Sequence, residues 1–122
     1  MSGDMVKMAT PAPSMNRAAA IAQLNDTFRR TLVGGRVVIT PGVAALGDEM
    51  VRTVVGRVAA FTKFDADNDP YGEHDFGSLN LDGLTYFWKI DCYDRACEFG
   101  SPDPLDPTVT CRVLTIMRAD EY

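Results

Sequence analysis

The chain is poor in the residue types that usually carry chemistry: among 122 residues it has one histidine, His74, one tryptophan, Trp88, and three cysteines. No apolar run approaches the roughly 20 residues needed to span a bilayer. The opening MSGDMVKMATPAPS lacks the apolar core of a signal peptide. Both absences lead to the expectation of a cytoplasmic protein with no membrane partner. There is no glycine-rich phosphate loop, no pair of CxxC knuckles and no internal repeat. In a reducing compartment an odd cysteine count argues against a disulfide framework, and leaves metal ligation or simple burial for Cys92, Cys97 and Cys111.

The charge that is present is unevenly divided. Residues 1–64 carry eight basic against four acidic side chains, a net +4, whereas residues 65–122 carry four against thirteen, a net −9. An acidic surface repels phosphate backbones, so direct nucleic-acid binding by the second half is disfavoured.

Length and the apolar pattern describe one α+β domain over 15–122 behind a flexible tail at 1–14. Ile21, Leu24, Phe28 and Leu32 recur at helical spacing, Ser14 or Asn16 can cap the start, and Gly34-Gly35 ends the helix. Arg36 to Thr40 is a short β-branched strand, and Thr40-Pro41 opens a single helical turn. A second helix from Asp48 shows an apolar face of Val51, Val54, Val55, Val58 and Phe61. Two strands at about 74–81 and 84–92 flank Asp82-Gly83, a strong two-residue hairpin signal, and a last strand runs at about 109–117. The order α-β-α-β-β-β implies two helices packed on one face of a small, mainly antiparallel sheet.

Between the second helix and the hairpin, Asp65, Asp67 and Asp69 alternate as in the first half of an EF-hand loop. Pro70 stands where the glycine belongs and Phe76 where the bidentate glutamate belongs, which argues against calcium. The hairpin register, in which paired residue numbers sum to 165, sets His74 opposite Asp91. A last strand antiparallel to 84–92 brings Cys111 toward Cys92, with Cys97 tethered above. His74, Cys92, Cys97 and Cys111 then form a tetrahedral ligand set for a structural zinc, with Asp91 orienting the imidazole or replacing it. The alternative is three separate buried thiols. Nothing marks any one thiol as an activated nucleophile.

The segments DNDPYGEHDFG, FWKID, GSPDPLDP and RVLTIM, with the ending EY, make the chain resemble the bacterial domain-of-unknown-function family 3768 from about residue 20 onward. The resemblance implies small single-domain proteins, often carried on plasmids and other mobile elements, with no established activity. Family members read KIDYYD and TTRV where this chain has KIDCYD and TCRV, so Cys92 and Cys111 depart from the pattern. Membership of such a class, together with the −9 half, leads to an expected non-catalytic inhibitor of host nucleic-acid-handling defence machinery, concretely an anti-CRISPR protein acting on an effector such as Cas9. In that reading Asp65, Asp67, Asp69, Glu73, Asp103 and Asp106 meet a basic surface of the partner. The alternative is a small metal-dependent hydrolase using His74, Asp75 and Asp91.

Overall fold

The computed structural model describes residues 16–122; the expected tail at 1–14 lies outside them. Helix α1 spans Arg17–Thr31. The Asn16 side chain accepts from the Ala19 amide at its start, and Leu32, at φ 59°, closes its end by donating to the Phe28 carbonyl. The face it buries is Ile21, Ala22, Asn25, Phe28 and Arg29. This rotates the expected apolar stripe: Leu32 is left exposed, and two polar side chains enter the interior.

Strand β1 (Gly35–Ile39) leads through the single turn α2 (Pro41–Ala44) into helix α3 (Asp48–Ala59), which buries Val54 and Val58. Strands β2 (Phe76–Leu81) and β3 (Leu84–Tyr93) form the hairpin, and β4 (Cys111–Arg118) follows a short 3-10 turn at Pro107–Val109. Asp82 and Gly83 both adopt positive φ, as a tight primed turn requires. The pairing runs Phe76 with Lys89 to Leu81 with Leu84, so the expected register holds within the strands.

The sheet order is β1-β4-β3-β2. β4 runs antiparallel to β3 and parallel to β1, so the sheet is mixed, with two antiparallel pairings and one parallel. A parallel partner is possible because the long connection through α2, α3 and the hairpin returns the chain to the same end. Helices α1 and α3 cover one face. Trp88, Leu114, Ile116, Val54 and Val58 are fully enclosed between the layers, with Phe28, Val43 and Tyr86 around them. Gly77 pairs with Trp88, and a Cβ at that position would collide with the indole, so the largest core side chain dictates glycine on its neighbour strand. The expected α+β class is found in this architecture. Among the described residues no helix is long and apolar enough to cross a membrane.

Candidate functional site

Two polar residues of α1 organise the end of the sheet where β2 begins. Arg29 is 1% exposed and donates from Nη1 to the carbonyls of Val58 (2.7 Å), Ala59 (3.1 Å) and Phe61 (2.9 Å). Those carbonyls lie at the C-terminal end of α3, where helix geometry leaves acceptors unpaired, so a side chain from α1 caps α3. The same guanidinium lies 5.0 Å from the Trp88 ring centre and 5.5 Å from that of Phe64, and Nη2 donates to Asp26 Oδ1 at 2.7 Å. Asn25 donates to the Glu73 carbonyl at 2.9 Å and accepts from Arg112 Nε at 2.8 Å, while Arg112 Nη2 donates to the Pro104 carbonyl at 2.7 Å. Thus α1 pins α3, the acidic segment, β4 and the 101–106 loop.

The acidic segment folds on its own carboxylates. Asp65 Oδ1 accepts the amides of Asp67 and Asn68, and Asn68 Oδ1 accepts the amide of Asp65. Asp69 is 7% exposed and its Oδ1 accepts the amides of Glu73 and His74, both at 3.1 Å. These bonds turn the chain through Gly72 and His74, each at positive φ, before β2 starts at Phe76.

That turn separates the expected zinc ligands. His74, at φ 56°, lies outside the strand, and its imidazole points to α1 instead of Asp91: Nδ1 lies 3.0 and 2.9 Å from the two Asp26 oxygens. The ring stacks on Phe64 at 3.9 Å with the planes 3° apart, and Nε2 faces Asp69 Oδ2 at 3.7 Å. Cys92 pairs with Arg112 and Cys111 with Tyr93. Alternation along the strands therefore puts Cys92 on the helix side and Cys111 on the opposite face. Cys97 does come near Cys111, and its thiol together with burial pushes the Cys111 thiol up. The structure thus joins two of the four, and among the described residues no group of three or more such side chains is arranged to hold a metal.

In place of that set stands an acidic cleft of about 260 Å³ lined by Glu73, Asp75, Asp91 and Cys92, with Arg17, Asn25 and Pro104 at its walls. Strict alternation would set Asp75 and Asp91 on opposite faces. Asp75 precedes β2 but continues its ladder, its carbonyl accepting the Ile90 amide at 2.9 Å, while Asp91 borders the same cleft and pairs with Lys89 at 3.1 Å. Burial raises Asp75 above the usual carboxylate range, helped by the charges of Asp69 and Asp91. Burial and then Asp75 raise Glu73, while Arg17 opposes them. Burial likewise raises Cys92, against the pull of Arg112, so its thiol stays protonated near neutrality.

Of the expected partner-binding acids, Asp65, Asp67 and Glu73 lie on the acidic segment, and Asp69 is enclosed within it. Asp103 pairs with Arg17 at 3.6 Å and holds the Leu105 amide, and Asp106 caps the 3-10 turn through Thr108. Arg17 stands between the two acidic regions, at the cleft wall. Of the alternative catalytic set, Asp75 and Asp91 border one cleft, Asp91 pairing with Lys89, whereas both nitrogens of His74 face other carboxylates. A larger cleft of about 440 Å³ lies between the end of α3 and β2 and carries Arg57 and Lys63.

Asn25, Asp26, Arg29 and Arg112 do not figure in the expectation from sequence. The available signal was Ile21, Asn25 and Phe28 at i, i+4 and i+7, a helix face with a polar member. The model of the family described as "Protein of unknown function (DUF3768)" matches residues 39–121. No curated protein and no solved structure shows significant similarity to the chain.

Proposed function

The chain belongs to the DUF3768 family, which carries no assigned activity, and from the site we propose that this protein is a non-catalytic binding module whose acidic cleft takes basic side chains of a partner protein. The observation that supports this reading is the convergence of Glu73, Asp75 and Asp91 in one cleft, with Glu73 and Asp75 raised by burial and by neighbouring carboxylates. A lysine or arginine side chain from a partner would relieve that repulsion, and complementary charge of this kind favours association rate and specificity. The protonated Cys92 thiol and the carboxylate-facing His74 fit a binding role better than a nucleophile and base.

The partner class proposed is a host protein whose basic surface ordinarily handles nucleic acid, such as a CRISPR effector. The test is binding of the purified chain to a Cas9–guide complex at low and at high salt. Association that weakens several-fold between about 0.05 and 0.5 M salt is expected, because exposed charges more than a Debye length apart are screened there. No binding at either salt removes this partner, and binding indifferent to salt removes the electrostatic argument.

A further inference from the structure

The end of the sheet that carries the acidic cleft holds, on its other face, a feature that the cleft does not use. After β3 the chain makes a closed flap: the Asp94 amide donates to the Phe99 carbonyl at 2.8 Å, the Cys97 amide to the Asp94 carbonyl at 2.9 Å, and the Glu98 amide to Asp94 Oδ1 at 3.1 Å. A bridge between Tyr93 and Gly100 and the Ser101 amide on the Cys92 carbonyl at 2.9 Å return the chain alongside β3. Within the flap Cys97 is held at φ 59°, a conformation rare for a non-glycine residue. Arg95 reaches across to the Thr110 carbonyl at 3.2 Å and ties the flap to the first residues of β4. Cys111 opens that strand, opposite Tyr93 and on the face away from the helices. The flap, tied to the residue before β4 by Arg95, therefore brings Cys97 to the neighbourhood of Cys111, close enough for the two thiols to influence each other's ionisation.

Access and charge favour chemistry at this pair. Cys111 is 8% exposed, yet it lines a cleft of about 320 Å³ whose other walls are Gly34, Gly35, Arg36 and Arg95. Cys97 and burial raise the Cys111 thiol, and the two guanidinium groups oppose that rise. They also attract an anionic oxidant. Cys92 is partly exposed and has Arg112 near it, but it lies on the face opposite Cys111 among Glu73, Asp75 and Asp91, whose charge repels an anion.

We propose that Cys97 and Cys111 are a redox-responsive dithiol that closes to an intramolecular disulfide on reaction with an anionic low-molecular-weight disulfide such as glutathione disulfide. Cys97, the more accessible of the two, loses its proton and attacks one glutathione sulfur; the glutathione S–S bond breaks and one glutathione thiolate leaves. Cys111 in turn loses its proton and attacks the Cys97 sulfur of the mixed disulfide, breaking the Cys97–glutathione bond and releasing the second thiolate. The two protons end on the two glutathione molecules, and two electrons pass from the pair to the oxidant. The loop so closed contains Pro104, a wall of the acidic cleft, but the bond forms whatever that cleft binds.

The experiment equilibrates the full, reduced chain with mixtures running from glutathione alone to glutathione disulfide alone, quenches with acid, alkylates remaining thiols, and reads intact mass and peptide maps. The expected result is a monomer that has lost two hydrogens and two of its three alkylatable thiols, bridged between Cys97 and Cys111, with Cys92 still alkylated. Cys92→Ser should close as the parent does. Cys97→Ser, chosen because the more buried Cys111 is the riskier site to alter, should show no bridge while keeping its circular dichroism and melting transition. A bridge that includes Cys92, a dimer between chains, arrest at the mixed disulfide, or three alkylatable thiols under glutathione disulfide alone would each overturn the proposal.

Discussion

Arg29 shows how much one side chain can hold together. Its guanidinium satisfies three carbonyls at the end of α3, binds Asp26 and covers the faces of Trp88 and Phe64 while almost wholly enclosed. Replacing it by methionine, Arg29→Met, keeps much of the volume but removes the side-chain donor from the Ala59 and Phe61 carbonyls, leaves Val58 with backbone donors alone, and leaves Asp26 without its closest cation. Breaking a buried charged contact of this kind costs about 3–5 kcal/mol, so denaturant unfolding should show a loss of that size. A loss under about 1 kcal/mol would mean that water replaces the guanidinium without strain. Asp75 behaves oppositely. Because its folded pKa is raised, the folded chain holds that proton more tightly than the unfolded one, and its contribution to stability falls as pH rises from the ordinary carboxylate value through the raised one. Asp75→Asn should therefore be more stable than the parent at pH 7, with the difference shrinking toward zero as pH is lowered below the usual aspartate range; thermal melts at several pH values read this directly. The placement of the thiols also carries an expectation for metal. Chain purified with its thiols reduced should retain well under one zinc, measured by mass spectrometry, since His74 and Cys92 point away from Cys97 and Cys111.

Among the elements, those set by local pattern were legible in the sequence and those set by a single backbone conformation were not. The hairpin is readable because Asp82-Gly83 allows few turns and the register follows by counting. The helices follow from apolar spacing. His74 is set apart from the thiols by its own left-handed conformation, which ends the extended chain two positions before β2 and turns the imidazole to α1. No composition or periodicity signals that choice; it is imposed by Asp69 gathering two amides and by Phe64 offering a ring to stack on. Cys92 and Cys111 fall on opposite faces for a related reason. The pairing of β4 with β3 depends on a long irregular connection, and moving it by one residue exchanges faces. The role assigned to Asp69 can be checked at this scale. Asp69→Ala removes the acceptor for the Glu73 and His74 amides and should cost about 1–3 kcal/mol. Hydrogen exchange should quicken at those two amides before it changes in β3, and uniform quickening throughout the sheet would show instead that the segment is part of the global core.

Across the whole molecule the uneven charge of the sequence becomes a spatial division. Arg57 and Lys63 flank one cleft, Arg36 and Arg95 another, and Glu73, Asp75 and Asp91 gather in a third. Carboxylates that repel one another in a partly enclosed cleft work against folding, which is the pattern expected where stability has been given up for recognition. That trade can be measured. Glu73→Gln, Asp75→Asn and Asp91→Asn combined should leave the fold intact and raise its stability at neutral pH, since the one ion pair lost among the described residues, Lys89 with Asp91 at 3.1 Å, is largely solvated and contributes little. The same combination should slow association with a basic partner about tenfold or more and flatten its dependence on salt, because charges at the rim of an interface act chiefly on the rate of encounter. Arg57→Gln with Lys63→Gln serves as the control and should change neither. A triple variant that gains stability and binds as fast as the parent would separate the cleft from recognition and leave its carboxylates as a purely internal cost.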